Sequence, residues 1–392
     1  MTKKPSHRLF TLGFTLAIAA MQVAAQPEPY FESEPYFESE PYFESEPYFM
    51  SEQNLESEQN LEPEQHLEPE QFFEPAPVDE KGRFTNYQAN LSHGSLAVRV
   101  PFFLRRFGTM FRSDAGAPQR IANDGTFLRE NNSTPTVTWV GHATLLVQMD
   151  GVNFLTDPIW SQTPSPVPLI GPSRWVDPGL ALEDLPAIDF VVISHNHYDH
   201  LDLPTLRELV KLNPKTVFFV PQGNGDLLRK NGIDQVRELN WGDTASYKGT
   251  TIHCLPTQHW SKRSITDTRK ALWSSWAVTG PERRFYFAGD TGYFDSFKDI
   301  GAKLGPFDLA AVPVGAYEPR AMMETSHMNP EEAVQAALDV QADTAIAIHF
   351  GTFDLSDEPL SEPPQRFKAA AENTTLGNSK SWVLDVGETR EF

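Results

Sequence analysis

From residue 136 onward, short apolar runs alternate with turn residues. Residues 136–140, 145–149 and 152–155 are β-prone and separated by Gly or Asp, while 190–193 and 217–220 are almost wholly apolar. Further runs lie at 251–254, 276–278, 285–287, 309–314 and 344–348. Runs of this length bounded by turn residues predict strands, and the unbroken ones predict buried strands. Between them, Pro204 predicts the start of a helix over 205–212, Pro330 one over 331–340, and 295–303 also reads as helical. Strands interleaved with helices in this order predict a layered α/β or α+β architecture rather than an all-β barrel.

The first third of the chain follows other rules. Leu9 to Ala20 is apolar apart from Thr11 and Thr15, is preceded by Lys3, Lys4 and Arg8, and ends in Val23-Ala24-Ala25. That is the pattern of a secretory signal over 1–25, too short for a comfortable membrane span of ~20 residues. Pro-Tyr-Phe-Glu-Ser-Glu then begins at Pro29, recurs at Pro35 and Pro41, and drifts through later copies to about residue 75. A proline in each early copy and charge of one sign argue against a β-helix and for a disordered acidic tether over 26–81. The folded domain is expected over 82–392. Between Leu96 and Arg112, Phe102, Phe103, Leu104, Phe107, Met110 and Phe111 mingle with Arg99, Arg105, Arg106 and Arg112. The plain expectation is an arm packed on the domain with its arginines pointing outward; the other is a lipid-interface segment.

Charge sharpens this division. The chain of 392 residues carries −21, but residues 26–80 hold 17 acidic side chains and no Lys or Arg. With the three cations of 1–25 counted, 81–392 keeps only −7, so the acidity belongs to a segment and not to the fold. No cationic cluster suits a nucleic acid partner. The single Cys254 excludes an intramolecular disulfide and a Cys-based zinc finger.

Of eleven histidines, eight fall between 142 and 349. Ser194-His195-Asn196-His197-Tyr198-Asp199-His200-Leu201-Asp202 follows the apolar run at 190–193 and precedes a helix, so it forms a loop at a strand's C-terminal end. His-x-His puts two imidazoles on one side of an extended chain, and Asp199 and His200, past the bend, can serve a second ion. Imidazole and carboxylate without thiolate suit zinc, and also manganese or iron. Three further positions end predicted strands: His259, Asp290 between Gly289 and Gly292, and His349. A common metal rim would form there. Asp157 reads as a carboxylate orienting a ligand imidazole or as a plain turn residue, His142 as structural or supporting, and His253 as packed.

These residues resemble the ligand order of the metallo-β-lactamase fold. Thr138-Trp139-Val140-Gly141-His142-Ala143-Thr144, Gly315-Ala316-Tyr317-Glu318-Pro319-Arg320 and His327-Met328-Asn329-Pro330-Glu331-Glu332-Ala333 narrow the likeness to the branch of N-acylphosphatidylethanolamine-hydrolysing phospholipases D, over roughly 82–392. The resemblance implies an α+β fold, an αββα sandwich with two zinc ions at one edge. His195, His197 and His259 would hold one zinc, Asp199, His200 and His349 the other, and Asp290 would bridge them. It also implies that Tyr198 and His327 contact the substrate phosphate. Phe350 stands where the animal enzymes have Trp, and the acidic array lies outside the family pattern.

The implied activity is a zinc phosphodiesterase giving N-acylethanolamine and phosphatidic acid, with a metal-bridging hydroxide attacking phosphorus. The catalytic set is then Asp199, Asp290 and His327. The expected partners are a phospholipid and, transiently, a membrane surface; export points to the periplasm, and a homodimer is one option for assembly. The alternative enzyme is a metal-dependent lactonase or a phosphoesterase for a soluble sugar phosphate. A non-enzymatic alternative is a metal-binding or adhesion protein that works through its acidic repeats.

Overall fold

The computed structural model describes residues 72–88, 94–109, 116–167 and 171–392. The leader expected over 1–25 and nearly all of the acidic array lie outside the described residues. The strands, in chain order, are β1 Thr136–Gly141, β2 Thr144–Met149, β3 Val152–Thr156, β4 Phe190–Val192, β5 Val217–Pro221, β6 Val236–Leu239, β7 Thr244–Tyr247, β8 Thr250–Leu255, β9 Ser275–Thr279, β10 Arg284–Phe287, β11 Phe307–Pro313, β12 Ala342–Ile348, β13 Ser381–Trp382 and β14 Thr389–Glu391. The helices are α1 Leu96–Thr109, α2 Thr126–Glu130, α3 Leu203–Leu212, α4 Gly225–Arg229, α5 Ser296–Leu304, α6 Arg320–Met323, α7 Pro330–Asp339, α8 Glu362–Ala371 and α9 Gly377–Lys380. Every strand and helix expected from the apolar pattern is present, within two residues at each end.

The strands form two mixed sheets of matching design. One runs β14-β1-β2-β3-β4-β5-β6 and the other β13-β12-β11-β10-β9-β8-β7. In each, three antiparallel pairings give way to three parallel ones. Alternation along the strands sorts side chains to two faces. Phe154, Phe190, Val192 and Phe219 face the second sheet and join one core with Trp276, Phe285 and Phe287. Leu155, Val191, Phe218 and Val220 face the other way and pack against Leu206 and Leu209 of α3 and Leu228 of α4. On the far side, α5, α7 and α8 supply Phe297, Val334 and Phe367 to the main core. The layers are therefore helix, sheet, sheet, helix. Phe154 and Phe190 stack 4.7 Å apart at the centre, and each such buried aromatic contributes about 1.5–3 kcal/mol over leaving it exposed.

Two expectations need correction. The boundary expected at 82 falls inside packed chain. Phe73 and Ala76 are already buried in the core, because the sequence after Gln71 exchanges its acidic repeat for apolar residues that the core takes up. The arm at 96–109 is a helix packed on the domain as expected, but not all of its arginines point freely outward and much of its apolar surface is uncovered. Arg106 turns inward to pair with Asp354 and the half-exposed Arg105 pairs with Asp357, while Leu96 (73% exposed), Val100, Phe103 and Leu104 (67% exposed) face solvent. Carboxylates on the domain attract the guanidinium groups, and Phe102 is the buried anchor.

Candidate metal centre

The 195–200 loop leaves the end of β4, and its position against the second sheet depends on Gly289. That residue has φ +60°, and a Cβ there would lie 2.5 Å from Cβ of Ser194. Only glycine allows this approach, which carries Asp290 into the loop. His142, Asp157 and His349 also hold left-handed φ values of 53°, 34° and 61°. Such conformations cost about 1–3 kcal/mol each and persist where the surroundings hold them in place.

Donor atoms converge in overlapping groups, each within 4.8 Å: His195, His197 and His259; His142, Asp199, His200 and His349; His195, His200 and Asp290; and His259, Asp290 and His327. In the first group Nε2 of His195 and of His259 lie 2.7 and 3.3 Å from Nδ1 of His197. In the second, Oδ2 of Asp199 lies 3.3 Å from Nε2 of His200 and 3.5 Å from Nε2 of His349. Asp290 spans the two. Its Oδ2 is 3.1 Å from His200 Nε2, 4.0 Å from His195 Nε2 and 3.9 Å from His259 Nε2, and its Oδ1 is 3.1 Å from His349 Nε2. The structure thus brings together all seven residues expected to bind metal.

The surroundings fix which nitrogen faces inward. Ser194 Oγ donates to Asp157 Oδ2 (2.5 Å) and so accepts from Nδ1 of His195 at 2.9 Å. Asp157 Oδ2 also accepts from His200 Nδ1 at 2.6 Å, and the Ser326 carbonyl accepts from His259 Nδ1 at 2.9 Å. With Nδ1 protonated in each, Nε2 presents a lone pair to the cluster. Asp157 therefore supports imidazoles in both groups, beyond the single orienting bond expected of it. His142 Nε2 sits 3.1 Å from Asp199 Oδ2, a contact that the sequence did not single out. His253 bonds Thr279 Oγ1 at 3.0 Å and is packed, as expected.

Electrostatics favour cations here. Burial holds His195 and His259 well below the usual imidazole range and His197 at about 4, so these rings stay neutral. Burial alone would raise the Asp199 and Asp290 carboxyls, but the charge of His200 outweighs it and both lie well below the carboxylate range. Burial would likewise lower His349, yet Asp290 lifts it to about 9. Protonated His200 and His349 would thus be needed to balance the buried carboxylates, a role that divalent cations fill with more charge. Neutral imidazoles of His195 and His259 whose Nε2 lone pairs converge on His197, beside two buried carboxylates, fit metal ions.

The rim is set by two linked segments. Asn329 and Glu332 form a reciprocal capping box at the start of α7, with bonds of 2.8 and 2.9 Å. Losing such a cap costs about 0.5–2 kcal/mol. Arg320 grips both oxygens of Glu332, at 2.7 and 2.9 Å, and donates to the His327 carbonyl at 3.0 Å. His327 is thereby held with Nδ1 3.9 Å from Asp290 Oδ2, and that nitrogen has no hydrogen-bond partner. Tyr198 is placed differently. Its hydroxyl donates to the Arg263 carbonyl at 2.9 Å, and the Arg263 guanidinium lies 4.0 Å above its ring. The same guanidinium donates to the carbonyls of Asn196 and Leu201, so it clasps the ligand loop at both ends.

A two-sheet sandwich with overlapping His and Asp donor groups at one rim defines a metal-dependent hydrolase. The family described as the beta-lactamase superfamily domain matches residues 152–350. The chain is 46% identical over 266 residues to the N-acyl-phosphatidylethanolamine-hydrolyzing phospholipase D 1 of Caenorhabditis elegans, covering 65% of this chain and 75% of that one. It is 44% identical over 265 residues to an uncharacterized Mycobacterium tuberculosis protein, covering 66% and 70%. A solved metallo hydrolase from Ignicoccus hospitalis superposes with a TM-score of 0.51 at 26% identity, over 66% of this chain and 99% of that one. The chain belongs to the metallo-β-lactamase superfamily.

Proposed function

We propose that the protein is a zinc-dependent phosphodiesterase of phospholipase D type, which hydrolyses N-acyl phosphatidylethanolamines to N-acylethanolamine and phosphatidic acid. The observation that carries this reading is a complete two-group donor set, joined by Asp290, in a chain 46% identical to a relative that bears that activity in its name. His195, His197 and His259 would hold one zinc, and Asp199, His200 and His349 the other. When bound, two such cations supply Lewis acidity toward phosphoryl oxygens and toward water. The chain supplies the rest. Asp290 sets the spacing between the two groups. Burial lowers His327 to about 4, so its imidazole is neutral near pH 7 and its one N–H donates a hydrogen bond to the phosphoryl group.

The outer face of α1 supports a lipid substrate. Leu96, Val100, Phe103 and Leu104 lie at i, i+4, i+7 and i+8, on one side of the helix. A solvated apolar stripe of this kind suits the interfacial plane of a membrane. The helix contacts α6, which leads to His327, and its arginines bind the segment that follows His349. Among the described residues no helix is long and apolar enough to cross a membrane. The leader over 1–25 adds export to the proposal, with the substrate met at a membrane surface outside the cytoplasm.

The test is mass-spectrometric product analysis in ¹⁸O-labelled water, with zinc-loaded protein offered mixed N-acyl and ordinary phospholipids. The expected products are unlabelled N-acylethanolamine and phosphatidic acid carrying the label on phosphate. Turnover of a sugar phosphate or lactone with intact phospholipids would overturn the reading.

A further inference from the structure

The segment 72–88 runs beside the second sheet, far in sequence from the metal ligands. Phe73, Ala76 and Phe84 are buried. The Ala76 amide donates to Asn240 Oδ1 at 2.9 Å, the Phe84 amide donates to the Arg269 carbonyl at 2.9 Å, and the Tyr87 ring meets Trp241 edge-on at 4.9 Å. This strap ends against His259. The His259 amide donates to Asn86 Oδ1 at 3.2 Å, and the His259 carbonyl accepts from Asn86 Nδ2 at 3.1 Å. One side-chain amide therefore satisfies both main-chain polar groups of a fully buried residue, groups that would otherwise each need a partner. Asn86 is fixed in turn by Trp273, whose Nε1 donates to Asn86 Oδ1 at 2.8 Å and to the Thr257 carbonyl at 3.1 Å.

The grip is specific to the ligand. Gln258, one residue earlier, is tied to the Asp290 loop instead: its amide donates to Thr291 Oγ1 at 3.1 Å, and its carbonyl accepts from the Gly292 amide. On the inner side, His259 Nδ1 is held by the Ser326 carbonyl. The Asn86 bonds hold the His259 main chain from outside and the Ser326 bond holds its ring, so that Nε2 stays aimed toward His197.

We propose that Asn86 is a positioning residue of the metal centre, acting through His259, and that the strap is thereby part of the site. The inference rests on His259 being a metal ligand and not on the identity of the substrate. Its test uses the full-length chain with Co²⁺ as the probe, reading stoichiometry and affinity by chelator competition and the ligand-field absorption bands. Asn86→Ala is expected to weaken one of the two bound ions by about 10–100-fold, the range for a residue that orients a ligand, and to change the absorption bands. Asn86→Asp keeps the acceptor for the His259 amide and sets an oxygen against the carbonyl, so a loss of similar size is expected. Gln88→Ala is the control: Gln88 lies on the same strap but bonds Asp295, and wild-type affinity is expected. Two ions held by Asn86→Ala with wild-type affinity and spectrum would overturn the proposal, as would an equal loss in Gln88→Ala, which would mark a general effect of the strap. If the wild type binds Co²⁺ but hydrolyses no lipid, the substrate assignment falls and this inference stands.

Discussion

The two donor groups share one loop and one bridging carboxylate, yet opposite means hold them. His195 and His259 lean on neutral partners, the Ser194 hydroxyl and the Ser326 carbonyl. In the other group, His200 leans on the Asp157 carboxylate, and Asp199 is met by His142. A carboxylate behind an imidazole raises its basicity as a ligand. The group around His200 thus gathers negative charge from Asp157, Asp199 and Asp290; against its burial, His349 is lifted to about 9 by Asp290 and Asp199, while burial lowers His197 to about 4. One loop can therefore present two sites of unequal character, provided different elements supply the support. The His200 group is expected to keep its cation longer when a chelator is added in steps.

Removing the bridge should erase this contrast. Asp290→Ala takes away the carboxylate that reaches both groups, and it leaves protonated or neutral imidazoles crowded together. The expected result is loss of both cations by metal analysis and a fall in turnover on the order of 10²–10⁴-fold, equivalent to several kcal/mol. A variant that still bound two ions would break the reading of Asp290 as the shared ligand. Asp157→Asn is gentler. The amide can still accept one bond, but the negative charge behind His200 is gone. Metal affinity is expected to fall about 10–100-fold, chiefly in the His200 group, so chelation should now empty the two sites together. An unchanged order of release would show that the asymmetry does not come from Asp157.

The sequence exposed the core of this design and hid its margins. Ten strands announce themselves as apolar runs, because both faces of those strands are buried. The four that do not are β6, β7, β13 and β14, and these are the outermost strands of the two sheets. Val236-Arg237-Glu238-Leu239 and Thr244-Ala245-Ser246-Tyr247 are only partly buried, and β13 and β14 are two and three residues long. Edge strands are kept short and polar for reasons unrelated to the core, so hydrophobic pattern does not mark them. The site divides in the same way. Its donors are His and Asp at strand ends, a rare combination that stands out. Its supports are a serine carbonyl, an asparagine amide and an arginine on a loop, whose chemistry is common and whose roles arise only from tertiary contact.

The α1 stripe offers a third contrast, between the centre and its surroundings. Phe103→Ser with Leu104→Ser removes exposed apolar surface worth about 25 cal/mol per Å² on burial and touches no donor group. Vesicle sedimentation is expected to show binding weakened roughly tenfold, the effect of about 1.4 kcal/mol, while both cations and turnover of a detergent-dispersed substrate remain. Loss of metal in this double variant would mean that α1 supports the centre rather than a surface.

Tyr198 gives the smallest effect and the finest test of the shared loop. It stands between His197 and Asp199, one from each group, so a shift there would reach both. Its hydroxyl proton is committed to the Arg263 carbonyl, and its ring lies under the guanidinium that clasps the loop at Asn196 and Leu201. Tyr198→Phe keeps the ring and the cation–π contact and deletes one hydrogen bond, with an expected stability loss of about 0.5–1.5 kcal/mol. Both cations should remain, and KM should stay within a factor of two or three of the wild type. If instead KM rises about tenfold at unchanged stability, the hydroxyl leaves Arg263 to meet the substrate phosphate, and the loop opens when substrate binds.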